Sequence, residues 1–94
     1  MTTFKVQKIK QGYNITMIIN EHEYGIYKYC DTIINYLQID PNDLNEALKL
    51  YDGKFYILGM TVKDVILIFT TKEKANTFVN EYLEPLLIVK ELSN

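Results

Sequence analysis

The segment Lys54-Phe55-Tyr56-Ile57-Leu58-Gly59-Met60-Thr61-Val62-Lys63-Asp64-Val65-Ile66-Leu67-Ile68-Phe69-Thr70-Thr71-Lys72-Glu73 decides the fold class. Lys54 to Met60 and Val65 to Thr70 are rich in the aromatic and β-branched residues that strands accept. They read as two strands joined across Thr61-Val62-Lys63-Asp64. Both are apolar at successive positions rather than at alternate ones, the pattern of strands in the middle of a sheet. A helix layer is expected on one side, and more protein or a partner subunit on the other. Thr70-Thr71-Lys72-Glu73 reads as a capping box, with the Thr70 hydroxyl serving one orphan amide and Glu73 reaching back to the cap. Ala75, Phe78, Val79, Tyr82 and Leu83 then recur at helical spacing. Glu84-Pro85 reads as the stop, and Leu86 to Glu91 as a last strand, an order that permits a right-handed parallel crossover.

Upstream, Asp40-Pro41-Asn42-Asp43 is a helix start: Asp40 as N-cap, Pro41 at the first helical position, Asp43 in the first turn. Leu44, Ala47, Leu48 and Tyr51 form its apolar stripe, and Asp52-Gly53 closes it. A shorter helix is predicted from Thr32, capped by Asp31, with Ile33, Ile34 and Leu37 facing inward and an end near Gln38. Glu23 to Tyr29 carries both strand and helix signals and is read as a third strand passing into that helix.

Tyr13, Ile15, Met17 and Ile19 share one face with Asn14, Thr16 and Asn20 opposite, a half-buried strand. Thr3 to Lys10 pairs with it as a hairpin across Gln11-Gly12, with Lys5, Lys8 and Lys10 guarding the outer strand against edge-to-edge pairing. Asn20-Glu21-His22 is a second turn. The expected architecture is one small α+β domain over residues 1–94, with a mixed, mainly antiparallel sheet of about five or six strands and two or three helices. The order is β-β-(β)-α-α-β-β-α-β.

A chain of 94 residues holds one core, since two would each approach the size at which unaided folding is marginal. The longest apolar run, Val65 to Phe69, is far too short to span a bilayer. No secretory pattern opens the sequence, so a cytoplasmic location is expected. All ten basic residues are lysine and the net charge is −2, which disfavours duplex-DNA readout by arginine forks. Phe, Tyr, Met, Ile, Asn and Lys supply 45 residues against 8 for Gly, Ala, Arg and Pro, the signature of an AT-rich genome. Phages, archaeal viruses and low-GC bacteria share that bias, so a viral or mobile-element accessory protein is one expectation.

No motif for chemistry is present. His22 lies between Glu21 and Glu23 in a turn, and the single cysteine, Cys30, reads as a buried thiol. Neither has partners at metal-ligand spacing, and the four glycines are isolated, so no metal, nucleotide or other cofactor is expected. Tyrosine is the unusual feature: Tyr24, Tyr27 and Tyr29 cluster around Lys28, with Tyr36 one or two helical turns further on. Amphipathic rings with few rotatable bonds suit a partner-binding surface, and the same rings could instead line the edge of the core.

The first expectation is a non-catalytic protein-binding module acting as a homodimer. It rests on the two-faced apolar strands, the tyrosines and the lack of a catalytic set. The second is single-stranded nucleic-acid binding through Tyr24, Tyr27, Tyr29 and Lys28, helped by Lys5, Lys8 and Lys10. The third is a small enzyme whose site, built on His22 or a carboxylate, is completed across a dimer interface.

Overall fold

The computed structural model describes residues 1–27 and 32–93. Lys28, Tyr29, Cys30 and Asp31, and the roles expected of them, lie outside the described residues. Five strands, β1 (Thr2–Ile9), β2 (Gly12–Ile19), β3 (His22–Gly25), β4 (Gly53–Ile57) and β5 (Val65–Phe69), form one sheet. Every pairing is antiparallel, so the α+β class holds without the parallel component that a mixed sheet would carry. The order is β1-β2-β5-β4. The far side of β2 is shared lengthwise: β5 pairs its Tyr13 and Asn14, while β3 pairs Thr16 to Ile19. A two-residue turn makes the β2–β3 hairpin possible, with Asn20 and Glu21 both at positive φ, the geometry whose twist matches the strands.

Helices α1 (Thr32–Leu37) and α2 (Pro41–Leu50) follow β3. Asp40 caps α2 as its sequence predicts: its Oδ1 accepts the Asn42 N–H at 2.7 Å. At the far end Asp52, at φ 58°, reverses the chain into β4. Gly53 is needed there, because a Cβ would sit 2.5 Å from the Phe69 ring and 2.8 Å from Leu48 Cδ2. That absent side chain is what lets α2 press directly onto β4.

The third helical rod differs from its sequence reading at both ends. Thr71, not Thr70, is the N-cap of α3 (Lys72–Phe78), its side chain accepting from the Lys74 N–H at 3.1 Å. Two adjacent threonines offer the same hydroxyl, and the extended backbone of Thr71 decides between them. Leu86 to Glu91 is not a strand. The chain runs from α3 through a π turn, Val79–Leu83, into α4 (Glu84–Leu92), so no parallel crossover forms. Pro85 has no N–H to donate, and the wider π turn, in which the Glu84 N–H reaches the Val79 carbonyl, absorbs that loss where an α turn would break. Leu83 and Leu87, one turn apart, are buried, so packing overrides the strand preference of Ile88 and Val89.

All helices lie on one face of the sheet. The core between the layers is built from Ile15, Met17, Leu67 and Phe69 below and Ile33, Leu44, Phe78 and Leu83 above. Phe78 is its hub, with ring centroids 5.2 Å from Phe69, 5.0 Å from Tyr82 and 5.6 Å from Tyr51. Burial raises the pKa of the Tyr82 hydroxyl, with the Asp43 carboxylate adding to it. Among the described residues, the other sheet face carries no helix. Ile68 is buried there outside the main core, with half-buried Ile66 two residues away on the same face of β5.

Candidate functional site

The tyrosines expected to form one patch are distributed by strand alternation. Tyr24 stands opposite Met17 and packs against the core, half-buried on the helix side of the sheet. Gly25 is one residue further along and faces the other way, and the Tyr27 ring lies 3.8 Å from where a Gly25 side chain would begin. Tyr36 packs against the core from α1, with the Lys90 ammonium 4.9 Å from its ring centre. The described rings of the set thus divide between two faces, and Lys28 and Tyr29 lie outside the described residues. His22 is exposed at the start of β3. Among the described residues, no group of three or more His, Cys, Asp or Glu side chains could hold a metal ion. None of the described helices is long and apolar enough to cross a membrane.

Beside a group of exposed side chains on α4, Ile88, Val89 and Leu92, the longest run of exposed apolar side chains is on the β4–β5 hairpin. The strands read as interior ones divide unequally: β5 is in the middle of the sheet, but β4 is its edge. Tyr56, Ile57, Leu58, Met60 and Val62 are all exposed, Ile57 at 69% and Met60 completely. Turn tips of ordinary soluble domains are polar, so four aliphatic side chains between residues 57 and 62 have no local explanation.

The hairpin tip has a defined shape. Asp64 Oδ2 accepts the Thr61 hydroxyl at 2.7 Å and the Thr61 N–H at 3.0 Å, and the Asp64 N–H returns to the Thr61 carbonyl at 3.0 Å. The Thr61 hydroxyl, followed by the Thr61 N–H, holds the Asp64 carboxyl below its usual pKa. Gly59 is the tip's close approach: a Cβ there would lie 2.7 Å from Asp64 Oδ2. A short helical turn, Val62–Asp64, then leads into β5. Exposed apolar side chains on an ordered loop lose less entropy on binding than the same side chains on a disordered one.

Two shallow cavities flank β4. On the helix side, one of about 540 Å³ is lined by Leu48, Gly53 and Phe55 beneath the polar Asn42, Asn45 and Glu46 of α2. On the open side, one of about 360 Å³ is lined by Lys10, Gln11, Lys54, Tyr56 and Ile68. The sequence marked the run from Lys54 to Thr70 as needing cover but placed the binding residues on the tyrosines. Leu58, Met60 and Val62, aliphatic where a turn is due, are the signal that locates this surface. No protein-family model matches the chain, and comparison with curated proteins and with solved structures returns no match.

Proposed function

We propose that this chain is a small non-catalytic protein-binding module, acting as a homodimer, whose interaction surface is the β4 edge and the apolar hairpin tip. The observation that carries this reading is the row of exposed aliphatic side chains from Ile57 to Val62 on a loop held by the Thr61–Asp64 hydrogen bonds. Water contact at such a row is unfavourable by roughly 25 cal/mol per Å², and cover by another protein removes it. Cytoplasmic residence and an accessory role in a virus or mobile element, modulating a host factor, belong to the same reading. Their support is composition, not geometry.

A second reading, single-stranded nucleic-acid binding, is favoured by one feature. The open-side cavity sets Lys10 and Lys54 beside the Tyr56 ring, and among the described residues neither lysine has a carboxylate partner. The test that separates the two is affinity capture of the tagged chain from lysate of its source, with and without nuclease, alongside a Leu58→Lys, Met60→Lys variant. A stoichiometric protein that survives nuclease and is lost by the variant is the expected outcome. Recovery of nuclease-sensitive material alone transfers the assignment to the Lys10, Lys54 and Tyr56 cavity.

A further inference from the structure

The pairing of β4 with β5 runs from Gly53 opposite Phe69 to Ile57 opposite Val65, and one step beyond it the Leu58 N–H donates to the Asp64 carbonyl. Hydrogen-bonded positions alternate along an antiparallel ladder, so Lys54 and Tyr56, like Leu58, direct their peptide groups at β5. Gly53, Phe55 and Ile57 direct theirs at the free edge, and these three positions are symmetric about Phe55. We propose that β4 pairs antiparallel with β4 of a second copy about a two-fold axis at Phe55, joining two sheets into one. The proposal rests on reading the hairpin as a protein-binding surface and names its occupant.

Four features select a second copy. Every free peptide group of β4 finds its complement in this register, with Gly53 opposite Ile57 of the second copy and Phe55 opposite its own equivalent. Ile57, exposed on the helix side of the sheet, is carried over Gly53 to the shallow cavity of about 540 Å³ in which Leu48 and Phe55 lie among Asn42, Asn45, Glu46, Lys49 and Lys54. On the open side Lys54 meets Tyr56 of the second copy, twice, at the positions where side chains approach most closely, so cation faces ring and no lysine faces lysine. Beyond the strand, the register carries Leu58 and Met60 toward the end of α2 in the second copy, where Leu50 stands 82% exposed. Leu50, Tyr56, Ile57, Leu58 and Met60 together offer on the order of 600 Å² per copy, or roughly 1,200 Å² for the pair, the lower bound of stable interfaces.

Sedimentation equilibrium of the purified full chain is the first test, with Ile57→Lys as its partner variant. Ile57 is largely exposed in one copy, so the variant should fold with an unchanged circular dichroism spectrum, and with the same melting curve at dilutions where both chains are monomeric. Wild type is expected to dimerise and the variant to associate about tenfold or more weakly. The register is tested in a Cys30→Ser background by mixing Lys54→Cys and Tyr56→Cys chains under mild oxidation. The mixture should cross-link and neither chain alone should, since only residues 54 and 56 of different copies face each other. A monomer at all concentrations, an Ile57→Lys dimer as tight as wild type, or cross-linking of Lys54→Cys alone each overturns the proposal. If the chain is monomeric but captures a protein through the hairpin, the dimer fails and the protein-binding reading stands. If it neither associates nor captures, both fail.

Discussion

The β1 edge and the β4 edge end the same sheet and meet water differently. Along β1 the exposed positions are Thr3, Lys5 and Lys8, and the lysines are occupied: Lys5 reaches Glu23 at 3.1 Å, and Lys8 lies 4.8 Å from the Tyr13 ring centre. Charged side chains on an edge strand discourage another strand from pairing with it. Along β4 the exposed positions are Lys54, Tyr56 and Ile57, and the chain continues into Leu58 and Met60. One edge is built to stay single. The other keeps its free peptide groups beside uncovered apolar side chains, which is the arrangement that recruits a strand.

The largest effect that can break this contrast is at Gly53. Gly53→Val drives a branched side chain into the Phe69 ring and Leu48, and should cost about 2–3 kcal/mol in urea unfolding. Gly25→Ala, whose Cβ would meet only the Tyr27 ring at ordinary distance, should stay within about 1 kcal/mol. Equal losses at both glycines would mean that α2 does not press onto β4 as described.

On the β1 side, the Lys5–Glu23 ion pair spans β2, where Thr16 lies between its strands, and Thr16 Oγ1 and Asn14 Oδ1 are buried without a hydrogen-bond partner among the described residues. Thr16→Val removes an unsatisfied hydroxyl at nearly constant shape. It should stabilise by about 1 kcal/mol, a rise of about 4–8 °C in Tm by calorimetry. A lower Tm would show that the hydroxyl has a partner.

The hairpin tip is the next test. With its pKa depressed, the Asp64 carboxyl contributes stability that is fully present above the ordinary carboxylate range, about pH 4. That contribution is lost as pH falls through the depressed value. The Thr61 amide resonance should therefore titrate below pH 4 in wild type and lose that titration in Asp64→Ala, with core amides unmoved.

The smallest effect is at Lys5, whose ion pair is half exposed: Lys5→Met should change stability by no more than about 0.5 kcal/mol. It should nevertheless add species larger than a dimer in sedimentation, because the second edge then loses its guard. An unchanged distribution would mean that charge is not what keeps β1 single.

Much of this fold is legible in the residues. Alternation in Tyr13 to Ile19 and the Asp40-Pro41 start are local signals, and local physics enforces them: one face per strand, one cap per helix. The misread segment, Leu86 to Glu91, had a local strand preference and a proline before it, and became helix because Leu83 and Leu87 found the core. The candidate site was half legible. Its apolar run was visible, yet the tyrosines drew attention because ring chemistry is visible in a sequence and the face a ring occupies is not.

The sequence by itself determined the α+β class, most of the element order, and an excess of apolar residues between Lys54 and Thr70 that needed cover. Only the tertiary structure decided that β5 receives the cover and β4 does not, that Tyr24 turns inward while Tyr27 lies against Gly25, and that the chain passes Pro85 as helix. The reason is common to all three: propensity and capping act within a few residues. Strand order, facing and the rescue of a proline turn depend on what lies across the core, which no local stretch of sequence carries.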